Sequence, residues 1–240
     1  MNENYNMNPY SYDNSYAQPQ LSLNQYIART YAWMFAGLTI TFLLAWAMSA
    51  SGAVFTLLIA FPQIAMILLI AELAVVIIFS ARILKHSAGV SRVLFLVYSM
   101  LNGVVFSVYF VLFEVTSLIA IFGLTALFFG AFALYGRFTK TDLSRLRPLL
   151  IVGLIFLLVA GVLSLFIDMS GLERLICMVG IVVFLCFTAY DNQKIKANYQ
   201  YFYHDAAMLQ KASIYSALQL YLDFINLFLY LLRFLGKSKN

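Results

Sequence analysis

Seven long apolar segments, joined by short polar connections, leave this chain few ways to fold. They lie at about Tyr31–Ala50, Val54–Ala81, Val93–Phe113, Val115–Tyr135, Pro148–Ile167, Leu172–Tyr190 and Ala212–Leu235. Each is near the ~20 residues that a helix needs to cross a ~30 Å hydrocarbon layer. Only 10% of the 240 residues are charged and 63% are hydrophobic, whereas a soluble domain carries about 25% charged residues. There is too little charge to coat a water-soluble globule of this size, so the composition predicts an all-α membrane protein with seven transmembrane helices. Ser51–Gly52–Ala53 alone splits the first two segments, and little more than Glu114 splits the third and fourth. Pro62, early in the second segment, predicts a kink or a late helix start there.

The segment before the first span differs in kind. Residues 1–26 are rich in Asn, Tyr, Ser and Gln and lack both the basic start and the apolar core of a cleavable signal peptide. They read as a disordered polar tail ahead of a membrane domain at 27–240. Cys177 and Cys186 share one apolar segment and read as inert thiols, and His86 and His204 fall in separate polar loops with no metal-ligand spacing. The net charge of +5 reflects loop lysines and arginines rather than a nucleic-acid surface. Eleven of these are Arg29, Arg82, Lys85, Arg92, Arg137, Lys140, Arg145, Arg147, Lys194, Lys196 and Lys211, all on the side of the N-terminus in the seven-span layout. The opposite connections hold Arg174. The positive-inside rule therefore places the N-terminus in the cytoplasm. Arg233, Lys237 and Lys239 at the C-terminal end favour a re-entrant last segment by charge, while its 24-residue apolar length favours a full span.

That last segment carries the most telling pattern. In Ser216–Arg233 the polar residues Ser216, Gln219, Asp223, Asn226, Tyr230 and Arg233 are spaced 3, 4, 3, 4 and 3 apart. On a helix they make one narrow stripe on an otherwise apolar cylinder. Such a seam suits a helix inside a membrane bundle, facing protein or trapped water. A carboxylate inside an apolar span costs roughly 2.5–3.5 kcal/mol, so Asp223 is expected to be paired, protonated or functional. Asp191 closes the sixth span in FTAYDNQKIK, which places it near the cytoplasmic boundary. With the seventh span beginning near Ala217, Asp223 is about six residues in, roughly 9 Å. The two carboxylates then meet in the cytoplasmic third of the bundle. Arg82, at the end of the second span, is within reach of both, and Glu72 lies mid-span ten residues earlier. Two carboxylates held together share a proton or recruit a cation, and Ca²⁺ favours oxygen ligands. Gln219, Asn226 and Asn102 of the third span complete the polar seam as interhelical hydrogen-bonders.

At YDNQKIK (Tyr190–Lys196) and YLDFINLFLYLLRF (Tyr221–Phe234) the chain resembles the Bax inhibitor-1, or transmembrane Bax inhibitor motif, family in its bacterial form. The glutamate-bearing second span that closes on Arg82 and the seven-span layout extend the resemblance over about residues 27–236. It implies a seven-helix fold with the C-terminal helix at its centre, in a bacterial plasma membrane. It also implies a pH-sensitive calcium leak, with Asp191 and Asp223 as the proton sensor, Arg82 as their latch and Glu72 along the route. Ca²⁺ would be the transported ion, with no resident cofactor. The alternative is a non-transporting regulator that binds a membrane protease or a cell-death or stress partner. An intramembrane aspartyl protease would also use two aspartates on adjacent helices, but Asp223 sits in Leu–Asp–Phe without the flanking glycine that lets a substrate approach.

Overall fold

The computed structural model of the chain describes residues 21–61, 87–164 and 166–239. Among these, seven α-helices form a bundle, and six of them are long and apolar enough to cross a membrane. Helix α1 (Leu23–Ala50) opens on a capping box, in which the Ser22 hydroxyl accepts the Gln25 N–H and the Gln25 side chain accepts the Ser22 N–H. The first turn of α1 thus takes in residues expected to belong to the polar tail, and Tyr26 is wholly buried. Gly52, at φ 74°, adopts the left-handed conformation that turns the chain into α2 (Ala53–Ala60). Helix α2 stops two residues ahead of Pro62, and Phe61 leaves the helical region at φ −135° and ψ 80°, as a following proline disfavours helical backbone before it. The rest of the second predicted span, with Glu72 and Arg82, lies outside the described residues.

Helices α3 (Ala88–Leu112) and α4 (Val115–Phe138) form the tight hairpin expected around Glu114. After a 3₁₀ turn at Leu143–Leu146 comes α5 (Arg147–Leu163), with Pro148 in its first turn where no N–H is missed. Helices α6 (Glu173–Phe202) and α7 (Ala206–Leu235) close the chain as an antiparallel pair. Asp205 caps α7 by accepting the Met208 N–H at 2.9 Å.

The C-terminal helix is central. In α7 56% of the apolar window is buried inside the protein, against 17–39% in the other five spans. A helix apolar on nearly every side is stable only when surrounded. Here the neighbours supply aromatic rings: Phe95 and Tyr98 pack on Tyr221, Phe122 and Phe129 on Phe224, and Phe42 and Phe106 on Phe228, all with centroids within 6 Å. Polar ties join the same helices, Thr30 to Ser213 at 3.1 Å and Thr41 to the Tyr221 hydroxyl at 2.7 Å. Helix α7 runs unbroken from the end of the bundle where α1 begins to the opposite end. There Arg233 pairs with Glu173 of α6 at 3.1 Å, and Lys237 and Lys239 bond the backbone of the α3–α4 turn. It is one continuous helix, long and apolar enough for a full span.

One expectation is corrected by helix length. Asp191 does not close a helix, because α6 continues eleven residues beyond it to Phe202. The segment after Asp191 is polar but contains neither Gly nor Pro, so nothing in the backbone stops it. Some of its polar side chains bond neighbouring helices, as when Asn198 donates to Ser216. Likewise α7 begins at Ala206, eleven residues ahead of the apolar core counted from Ala217, so Asp223 stands seventeen residues along the helix.

Candidate functional site

The seam read from α7 faces α6. The two helices cross in register at three levels spaced seven residues apart on each. Asn198 Nδ2 donates to Ser216 Oγ at 3.2 Å. Fourteen residues further along each helix, Phe184 stacks on Tyr230 with centroids 5.8 Å apart. Seven residues are two helical turns, about 10 Å, and return each helix to the same face. Halfway between these contacts stand Asp191 and Asp223. The 3-4 spacing of the polar stripe is therefore the signature of a two-helix seam. A small residue lets the helices close on it: a Cβ added to Gly180 would lie 2.6 Å from ring carbons of Tyr230.

Both carboxyl groups are interior, Asp191 6% and Asp223 4% exposed. The charge of Asp191 bears directly on Asp223, and the charge of Lys194 bears on both. Asp191 Oδ1 and Asp223 Oδ2 are buried with no hydrogen-bond partner among the described residues. Polar oxygens in that condition are costly unless a proton, a cation or water meets them. The pair is thus an acidic centre with acceptor positions left open by the described residues.

Its surroundings come from several helices. Lys194, one turn beyond Asp191, lies between two rings, its Nζ 5.5 Å from the centroid of Tyr215 and 5.9 Å from that of Tyr190. Next to Asp191, Asn192 accepts from the Tyr31 hydroxyl of α1 and donates to Thr188 O of its own helix at 2.7 Å. On the far side, α4 presses backbone to backbone on α6. A Cβ at Gly136 would lie 2.7 Å from the carbonyl carbon of Ala189 and 2.8 Å from its Cα.

The structure therefore brings Asp191 and Asp223 together, with Gln219 and Asn226 one turn to either side of Asp223 on the half-buried part of the seam. The Asn226 amide donates to Leu222 O at 2.8 Å, and the Asn102 amide to Tyr98 O at 3.1 Å, each within its own helix. Asn102 stands buried on α3, one turn beyond Tyr98, whose ring packs on Tyr221 of α7. Glu72 and Arg82 lie outside the described residues. The lysine that sequence reasoning treated only as a loop charge, Lys194, belongs to the centre. Extending the sixth helix through Asp191, Lys194 and Asn198 puts these three on one face, and that spacing is visible in the sequence.

The chain matches, over residues 23–240, the family described as inhibitor of apoptosis-promoting Bax1. It belongs to the Bax inhibitor-1 family. The inner membrane protein YbhL of Escherichia coli K12 is 41% identical over 234 residues, which cover 97% of this chain and all of that protein. An uncharacterized protein of Borreliella burgdorferi is 35% identical over 93% of this chain and 96% of its own length. An uncharacterized membrane protein of Streptococcus pyogenes serotype M1 is 32% identical over 93% of this chain and 97% of its own. Family membership and the six described spans agree that this is a multi-pass integral membrane protein embedded in a lipid bilayer.

Proposed function

We propose that the protein is a proton-sensitive calcium leak of the bacterial plasma membrane, gated at the Asp191–Asp223 pair. The observation that carries this reading is the pair itself: two buried carboxyls on the closing helices, each with an oxygen that has no hydrogen-bond partner among the described residues. A proton shared between them, or a cation drawn to them, supplies what each oxygen lacks. Ca²⁺ takes six to eight oxygen ligands. Two carboxyls offer only part of that shell, which suits an ion in passage that keeps some of its water.

The cations near the pair define the closed state. Lys194 competes with an incoming ion for the carboxylates, and in the family scheme Arg82 does the same from the second span. Protonation weakens their hold on the pair, and a bias worth one pKa unit shifts the populations of two states tenfold. Eleven basic residues fall on the side of the N-terminus in the seven-span layout and support a cytoplasmic N-terminus, which puts the gate toward the cytoplasm.

The test is calcium flux into proteoliposomes over a pH series, with wild type beside Asp191→Asn and Asp223→Asn. A flux that varies with pH in wild type and loses that dependence in both variants is expected. Superimposable pH curves for the three proteins would remove the pair from the mechanism.

A further inference from the structure

We propose that an open cavity at the N-terminal end of the bundle is a binding site for a phosphate-bearing anion. The cavity, about 600 Å³, lies between the first turns of α1, the last turn of α4 and the C-terminal third of α6. That volume is within the ~300–1,000 Å³ range of small-molecule sites. Three cations line it, Arg137 and Lys140 at the end of α4 and Lys196 on α6, and none has an ion-pair partner among the described residues. Among the described residues of its wall the one acid is Asp142, whose Oδ1 accepts the Ser144 N–H at 2.9 Å. Among the described residues the cavity wall thus carries three cations against one carboxylate, an excess of two positive charges.

The walls are held in place. Gln193 uses both ends of its amide on the α4–α5 connection, accepting from Leu143 N at 2.9 Å and donating to Thr141 O at 2.8 Å. The close approach of Gly136 to Ala189 holds the last turn of α4, and with it Arg137, against α6. Guanidinium and ammonium groups converging on one cavity fit a tetrahedral oxyanion, since arginine binds phosphate through paired N–H groups and lysine as a point charge. Leu23 and Ile27 add an apolar side, and Phe138 at the rim is 72% exposed. A phospholipid headgroup with its chains along the apolar side and a free phosphate share the chemistry this site would bind. Occupancy would be felt at the acidic pair, because Asn192 lines the cavity and is the next residue to Asp191. The binding itself does not depend on the calcium reading.

Calorimetric titration of the full chain in a neutral detergent tests the assignment. The probes are short-chain phosphatidylglycerol, its phosphatidylcholine counterpart and inorganic phosphate. Lys140→Gln/Lys196→Gln removes two exposed charges from the cavity, and Lys237→Gln/Lys239→Gln removes two at the opposite end. The expected result is anion binding by wild type and by the opposite-end variant, about tenfold weaker for each cavity lysine removed. Binding of phosphatidylglycerol alone assigns the site to a lipid headgroup; binding of inorganic phosphate with comparable affinity assigns it to a free anion. Anion affinities unchanged in the cavity variant, equal binding of phosphatidylcholine, or no anion binding by wild type would each overturn the proposal.

Discussion

Replacing Gly136 with alanine adds a single methyl group where the structure leaves no room for one. The new Cβ would sit 2.7 and 2.8 Å from the carbonyl carbon and Cα of Ala189, and closer still to its oxygen. A relaxed carbon-to-oxygen contact is about 3.3 Å or more. The atoms in the way are backbone atoms of a helix, so no rotamer change relieves the overlap; α4 and α6 must separate. Overpacking of this kind costs about 1–3 kcal/mol, which for a chain of this size is a fall of roughly 2–12 °C in melting midpoint. Gly130→Ala on the same helix is the internal control, because nothing lies within 4 Å of a Cβ there. Alanine is the better helix former by about 0.8–1.0 kcal/mol, so that variant is expected to melt no lower than wild type. The assay is the loss of the monodisperse peak on size-exclusion chromatography after graded heating in detergent. If Gly136→Ala melts at or above Gly130→Ala, the backbone contact beside Asp191 is not as described.

Two further outcomes follow from the same geometry. Gly180→Ala drives a methyl group into the Tyr230 ring and is expected to destabilise by about 1–3 kcal/mol. Adding Tyr230→Leu should restore most of that loss, and strict additivity in the double-mutant cycle on melting midpoints would count against the α6–α7 register. Asp142, held ionised by the hydrogen bonds from Ser144, has its carboxyl below the usual range. Its charged form therefore contributes to the turn above about pH 3.9, and the contribution is lost as pH falls through the lower folded value. A carboxyl ¹³C titration of Asp142 with its midpoint at or above about 3.9 would contradict this.

Much of the site was legible before the fold was known, and the reasons are specific. The 3-4-3-4-3 stripe on the last helix marked Asp223 and Gln219 because polar groups in an apolar span must find partners. The length of the sixth helix was underestimated because a polar stretch was taken as its end. The twelve residues from Asp191 to Phe202 keep helical backbone, and several bond neighbouring elements: Asn198 to Ser216 of α7, and Tyr199 to Leu21 O just ahead of α1. The same misjudgement hid Lys194, which becomes a neighbour of the pair only once the helix runs through it.

Apolar length and the scarcity of charge made this chain a membrane bundle, because a backbone in hydrocarbon must satisfy its own hydrogen bonds. Those properties are local, and residue order alone settles them. Which face of α6 meets the stripe on α7 was decided by the tertiary structure. Contacts such as Gly180 against Tyr230 and Gly136 against Ala189 depend on side-chain volume at positions dozens of residues apart. The register that sets Asp191 beside Asp223, and the cavity that opens next to it, are consequences of that packing.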